Sequence, residues 1–253
     1  MARSQRRLQK RRNRSPQQKR VSSNESFAFA SRDCPRALSL YPPLFPCLPR
    51  CYIEISVPKK SKRRIFLLSP ANLSGRRAQL LLRETAAFEL ATRVRETGAP
   101  IGEIFSFVSG LYFRGKLAYA TTFSDGDQKT QSVFIITATR GLVPPHARIA
   151  RDALNEMAAV PISCSDPRYR APLERDLARL AAEIGPGAEV ILLGSVATPK
   201  YLEPLSGTFG KRLLIPTDFI GRGDMSRGAL LLRAVRAMQP LAYAPALTSL
   251  PAR

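Results

Sequence analysis

From Arg64 onward, short apolar runs alternate with longer stretches of helical period. The runs are Ile65-Phe66-Leu67-Leu68, Val133-Phe134-Ile135-Ile136-Thr137, Val190-Ile191-Leu192-Leu193 and Leu213-Leu214-Ile215. Continuous apolar runs of this length predict strands buried on both faces. Between them, Arg77–Glu96 places Leu80, Leu81, Phe88, Leu90, Ala91 and Val94 on one broad helical face, closed by Gly98 and Pro100. Ser109–Phe123 reads as a second helix. Pro172–Ile184 reads as a charged amphipathic helix with Pro172 in its first turn. Lys200–Phe209 and Ala229–Arg236 complete the helices, and Leu241-Ala242-Tyr243 is either a fifth strand or a docked tail.

Strands and helices in this order predict an α/β fold: an open, mainly parallel sheet of four or five strands with helices on both faces. Ligands of such sheets gather beyond the carboxyl ends of the strands, near the point where the strand order reverses. The residues that follow each apolar run are therefore the candidates for a site.

Residues 1–56 break the pattern. Arg3 to Arg20 is almost wholly Arg, Lys, Gln, Asn and Ser, and Pro35, Pro42, Pro43, Pro46 and Pro49 follow. Such a segment buries too little apolar surface to offset its ordering entropy, so a disordered, basic, Pro-rich extension is expected ahead of a single α/β domain at 57–253. Three readings of it stand: a phosphate-binding arm, an extension from an upstream start codon with the natural beginning near Val57, or an organelle-targeting segment. The chain carries a net charge of +21. Residues 1–63 hold 16 Lys/Arg against 3 Asp/Glu, a net +13, which leaves only +8 for the other 190 residues. The body is moderately basic. With Cys164 as its one cysteine, it has no intramolecular disulfide and reads as cytoplasmic. No apolar run approaches the roughly 18 residues that span a bilayer, so no membrane partner is expected. Cys47 and Cys51 lack the spacing and companions of a zinc site, and no metal ligand set is assigned.

Four strand ends supply the candidate chemistry. The first run leads into Ser69-Pro70-Ala71-Asn72-Leu73-Ser74-Gly75-Arg76-Arg77, where Ser69 and Asn72 offer polar groups and Ser74 is a candidate N-cap. Arg76 and Arg77 either hold an anion or are solvated. The second run leads to His146, the only histidine. A serine–histidine triad with Ser69 or Ser195 lacks the Gly-x-Ser-x-Gly elbow, so an ordinary loop histidine is favoured. The third run opens into Gly194-Ser195-Val196-Ala197-Thr198-Pro199-Lys200, with Ser195 and Lys200 as ligand candidates and Thr198-Pro199 as a helix start. The fourth precedes Gly221-Arg222-Gly223-Asp224-Met225-Ser226-Arg227-Gly228, which reads as a phosphate cradle before a helix: Arg222, Ser226 and Arg227 for the anion, Asp224 as a cap or as the acid/base candidate. Apart from the strand ends, Phe105 to Lys116 interleaves aromatic and basic residues. Arg114 and Lys116 suit a base-stacking, phosphate-gripping surface, although aromatics at this spacing also suit a core. Gly115 between them weakens a helix, which points to a tight contact or a ligand.

Three segments, Leu67-Leu68-Ser69-Pro70-Ala71, Ser109-Gly110-Leu111-Tyr112-Phe113-Arg114 and Ile135 to Pro144, together resemble the YaaA peroxide-stress family of bacterial α/β proteins. The third departs from the usual serine-rich strand end, and the Gly221–Gly228 segment is not covered. The resemblance implies a nucleic-acid-associated α/β protein and supplies no catalytic set. The expectation is a protein binding a phosphate-bearing ligand, a nucleotide or nucleic-acid component, with or without an enzymatic step. The alternative is a non-enzymatic nucleic-acid-binding protein. The sequence names no cofactor.

Overall fold

A computed structural model describes residues 62–125, 131–195 and 199–246. The expectations for residues 1–56, and the Thr198 cap, lie outside the described residues. In chain order the elements are β1 (Arg64–Leu68), α1 (Arg76–Leu82), α2 (Glu89–Glu96), β2 (Ala99–Pro100), α3 (Ile101–Ser109), α4 (Leu111–Phe123), β3 (Val133–Ile136), β4 (Leu142–Val143) and β5 (Arg148–Ile149). They continue with α5 (Arg151–Ala159), α6 (Pro167–Ile184), β6 (Glu189–Leu193), α7 (Pro199–Phe209), β7 (Leu213–Pro216), α8 (Asp224–Ala237) and β8 (Tyr243–Pro245).

The main sheet has six strands in the order β4-β3-β1-β6-β7-β8. β3, β1, β6 and β7 run parallel, while β4 and β8 pair antiparallel at the two edges. The chain leaves β1 toward β3 on one side and later returns to β6 on the other, so the strand order reverses between β1 and β6. Ile65 to Leu68 and Val190 to Leu193 are all 0% exposed. Because alternate side chains of a strand point to opposite faces, both faces of these central strands are covered. α4 covers part of one face, where Tyr119 meets Phe66 edge-on at 5.9 Å between ring centroids. Among the described residues, no helix is long and apolar enough to cross a membrane.

The sheet exceeds the expected four or five strands because β4, two residues long, has no period to read. Other boundaries also move. The Arg77–Glu96 pattern is cut into α1 and α2, and Arg95 holds the break by donating to the carbonyls of Glu84 and Ala86 at 3.0 and 3.1 Å. Ser109 ends α3 rather than opening α4, since Gly110 turns the chain at φ 62°. Pro172 lies inside α6, which starts at Pro167 and is capped by the Asp166 carboxylate accepting from Arg168 N–H at 2.9 Å. The tail pairs with β7 as β8, pinned by the Tyr119–Tyr243 hydroxyl contact of 2.5 Å.

Helix α8 departs furthest from the expected pattern. It begins at Asp224, so Ser226, Arg227 and Gly228 lie inside a helix and not in a loop before one. Gly228 is required for packing. A Cβ there would lie 2.8 Å from the Tyr112 Cα, and one on Gly115 would lie 2.8 Å from the Gly228 carbonyl oxygen. Gly115 and Gly228 therefore let α4 and α8 cross at backbone contact, which explains a glycine in mid-helix.

Candidate functional site

Ser69 extends β1 by one residue, its N–H donating to the Leu193 carbonyl at 3.1 Å. Pro70 has no N–H and ends the ladder. The chain then turns on Asn72, whose Oδ1 accepts from Ser74 N–H at 3.0 Å and from Ser74 Oγ at 2.7 Å. Ser74 thus serves this turn, while Gly75 occupies the N-cap position of α1 without a side-chain bond. On the neighbouring strand, β6 is followed by Gly194, where a Cβ would lie 2.9 Å from the Ser69 Cβ. The bare glycine is what allows the two strand ends to approach.

Beyond these ends lies a cavity of about 520 Å³. It sits where the strand order reverses, as the rule for open α/β sheets requires. Its polar lining includes Ser69, Asn72 and Ser195 from the strand ends, Tyr112 from α4, Lys200 from the first turn of α7 and Asp224 from the first turn of α8. Phe105, Met157, Val160 and Ile162 contribute an apolar part of the same lining. The sequence pattern did not reveal the Met157 part of this lining, because α5 is short and its buried pair, Leu154 and Met157, is its only periodic signal.

Lys116 lies behind Ser69. It is 1% exposed and donates to the Ser69 carbonyl at 2.6 Å and to Ser69 Oγ at 2.9 Å. The rings of Tyr112 and Phe113 flank Nζ at 4.6 and 4.8 Å from their centroids. Desolvation pulls the Lys116 pKa down to about 7; the Asp224 charge works against the fall and Arg227 adds to it. Near neutral pH the group is divided between ammonium and free amine. Burial pushes the Tyr112 hydroxyl up to about 12, and that hydroxyl has no hydrogen-bond partner among the described residues.

The structure thus brings together Ser69, Asn72, Ser195, Lys200 and Asp224 on one cavity, with Lys116 against Ser69. It places the others elsewhere. Arg227 is 7% exposed, and its Nε and Nη2 donate to the Phe219 carbonyl at 3.1 and 3.0 Å, bracing the turn before α8. Arg222 and Ser226 are exposed and meet each other at 3.4 Å, and Arg114 is exposed on α4. None of these four lines the cavity. His146 is exposed between β4 and β5 and does not line the cavity that Ser69 and Ser195 share. Lys116 is enclosed by its aromatic neighbours, so of the two alternatives for this segment its inner face is core and not a stacking surface. No protein-family profile, curated protein or solved structure matches this chain.

Proposed function

We propose that the protein binds a small phosphate-bearing molecule of the nucleotide class in this cavity. The observation that carries the reading is where the cavity lies: at the reversal of strand order, with the first turn of α7 presenting Lys200 to it. The N-terminus of a helix carries partial positive charge, and a lysine there adds a full one. Ser195 offers a further polar group, and the Phe105–Met157–Ile162 wall suits an uncharged body such as a base. A cavity of about 520 Å³ falls within the range of small-molecule sites, roughly 300–1,000 Å³.

Thermal-shift and calorimetric titration of the full chain test this, using mononucleotides and sugar phosphates beside their dephosphorylated counterparts. The phosphorylated compound should raise Tm where its counterpart does not. Lys200→Ala should weaken binding roughly tenfold or more, the scale of one charge-assisted contact. Equal shifts with and without phosphate would remove the reading. A nucleic-acid partner is the second reading, favoured by the net charge of +21 and by the YaaA-like segments. It predicts affinity for oligonucleotides that falls steeply with salt and is spread over many basic residues, exposed Arg222 among them.

A further inference from the structure

Ser69 and Lys116 stand at two depths of one wall. Ser69 lines the cavity, whereas Lys116 does not, so an occupant meets the serine with the lysine directly behind it. The serine is held at both ends of its backbone unit: its N–H is bonded to the Leu193 carbonyl and its own carbonyl accepts from Lys116. Its hydroxyl is thereby fixed at the carboxyl end of β1, 2.9 Å from Nζ.

A buried lysine satisfying a carbonyl is ordinary. This one differs in two respects. It makes no ion pair with any described carboxylate, and the cost of a buried unpaired ammonium brings the free amine within reach of neutral pH. It also touches the hydroxyl of a residue that lines a ligand-sized space. The groups that bear on it are Tyr112 on its own helix, and Asp224 and Arg227 on α8, whose charges oppose each other. Tyr112, 6% exposed and lining the same cavity, keeps a neutral hydroxyl.

We propose that Ser69 is a nucleophile and Lys116 its general base, and that the cavity is the reaction site of a hydrolase acting on an acyl ester or amide. Ser69 Oγ forms a bond to the acyl carbon as its proton passes to the Lys116 lone pair. The carbonyl π pair moves to oxygen and returns as the bond to the leaving group breaks. The leaving alcohol or amine takes the proton from the Lys116 ammonium. Water then adds to the acyl-serine ester by the same path, and the acid departs with Ser69 restored. This assignment uses the cavity but not the phosphate of its ligand, and it stands or falls separately from that reading.

The test is reaction of the full chain with a fluorophosphonate, which loses fluoride to an activated serine, with the adduct located by peptide mass mapping. The adduct should be on Ser69 and absent in Ser69→Ala. That variant keeps its fold because the Lys116 bond to the backbone carbonyl at position 69 survives. The labelling rate should rise with pH and level off just above 7, where Lys116 has lost its proton. Asp224→Asn should move that plateau to lower pH. Lys116→Met should slow labelling at least about a hundredfold, the scale of general-base assistance. The pH profile is read on the unaltered chain, so it decides the matter even if Lys116→Met fails to fold. Three results would each overturn the proposal: no adduct on Ser69, a rate that climbs with pH without a plateau, or a folded Lys116→Met that reacts at the native rate. Phosphate-dependent ligand binding without labelling would reject this chemistry and leave the binding site in place.

Discussion

Among single residues, Asp176 shows most clearly how a polar side chain is built into this core. It is 3% exposed; Oδ2 accepts the Leu142 N–H at 3.0 Å and Oδ1 accepts from Arg175 Nε at 2.9 Å. One carboxylate therefore ties α6 to the edge strand β4. In Asp176→Ala the Leu142 N–H loses that acceptor, at a cost of roughly 1–3 kcal/mol. A melting scan should show Tm lower by roughly 2–10 °C. The individual groups of the cavity were largely legible because the strand ends were legible: Ser69, Asn72, Ser195, Lys200 and Asp224 all follow apolar runs. The Ser69–Lys116 contact was not. It joins positions 47 residues apart, and no local pattern records that a lysine among aromatics points inward.

Helices α4 and α8 show where element-scale reading fails and why. Gly115 pointed to a tight contact or a ligand and makes the contact, whereas the Gly228 segment suggested an anion cradle; each glycine serves the other helix's backbone. Propensity describes one segment, whereas this crossing is a property of two. The strands suffered less, since burial on both faces writes itself into every residue of a run. Gly228→Ala should force α8 off α4, with an overpacking cost of roughly 1–3 kcal/mol. The same variant should reduce fluorophosphonate labelling of Ser69, because Tyr112, Lys116 and Asp224 are set by this crossing. Unchanged melting and unchanged labelling would show that the helices can part without strain.

For the molecule as a whole, stability must depend on pH through its buried titratable groups. Lys116 has a pKa of about 7 when folded, against an ordinary value of 10.5. Between these values the unfolded chain holds more protons, so stability rises as pH rises from about 7 toward 10.5. The tyrosines act in the opposite sense. Burial raises Tyr112 to about 12 and also raises Tyr169, Tyr201 and Tyr243. The folded chain then keeps protons that the unfolded chain releases above about 10, and stability falls there. Denaturant unfolding across pH 6 to 11 should show a maximum near the ordinary tyrosine range. Lys116→Met should remove the ascending limb and keep the descending one.

The two rims of the main sheet have a bearing on self-association. A long parallel strand at a border would present a row of unpaired donors and acceptors, a template onto which another chain could zip. Here the borders are β4 and β8, two and three residues long and reversed in direction. Fibre-like growth from this sheet is therefore starved of a landing strip, and the extended hydrophobic strands that build the core stay inside it.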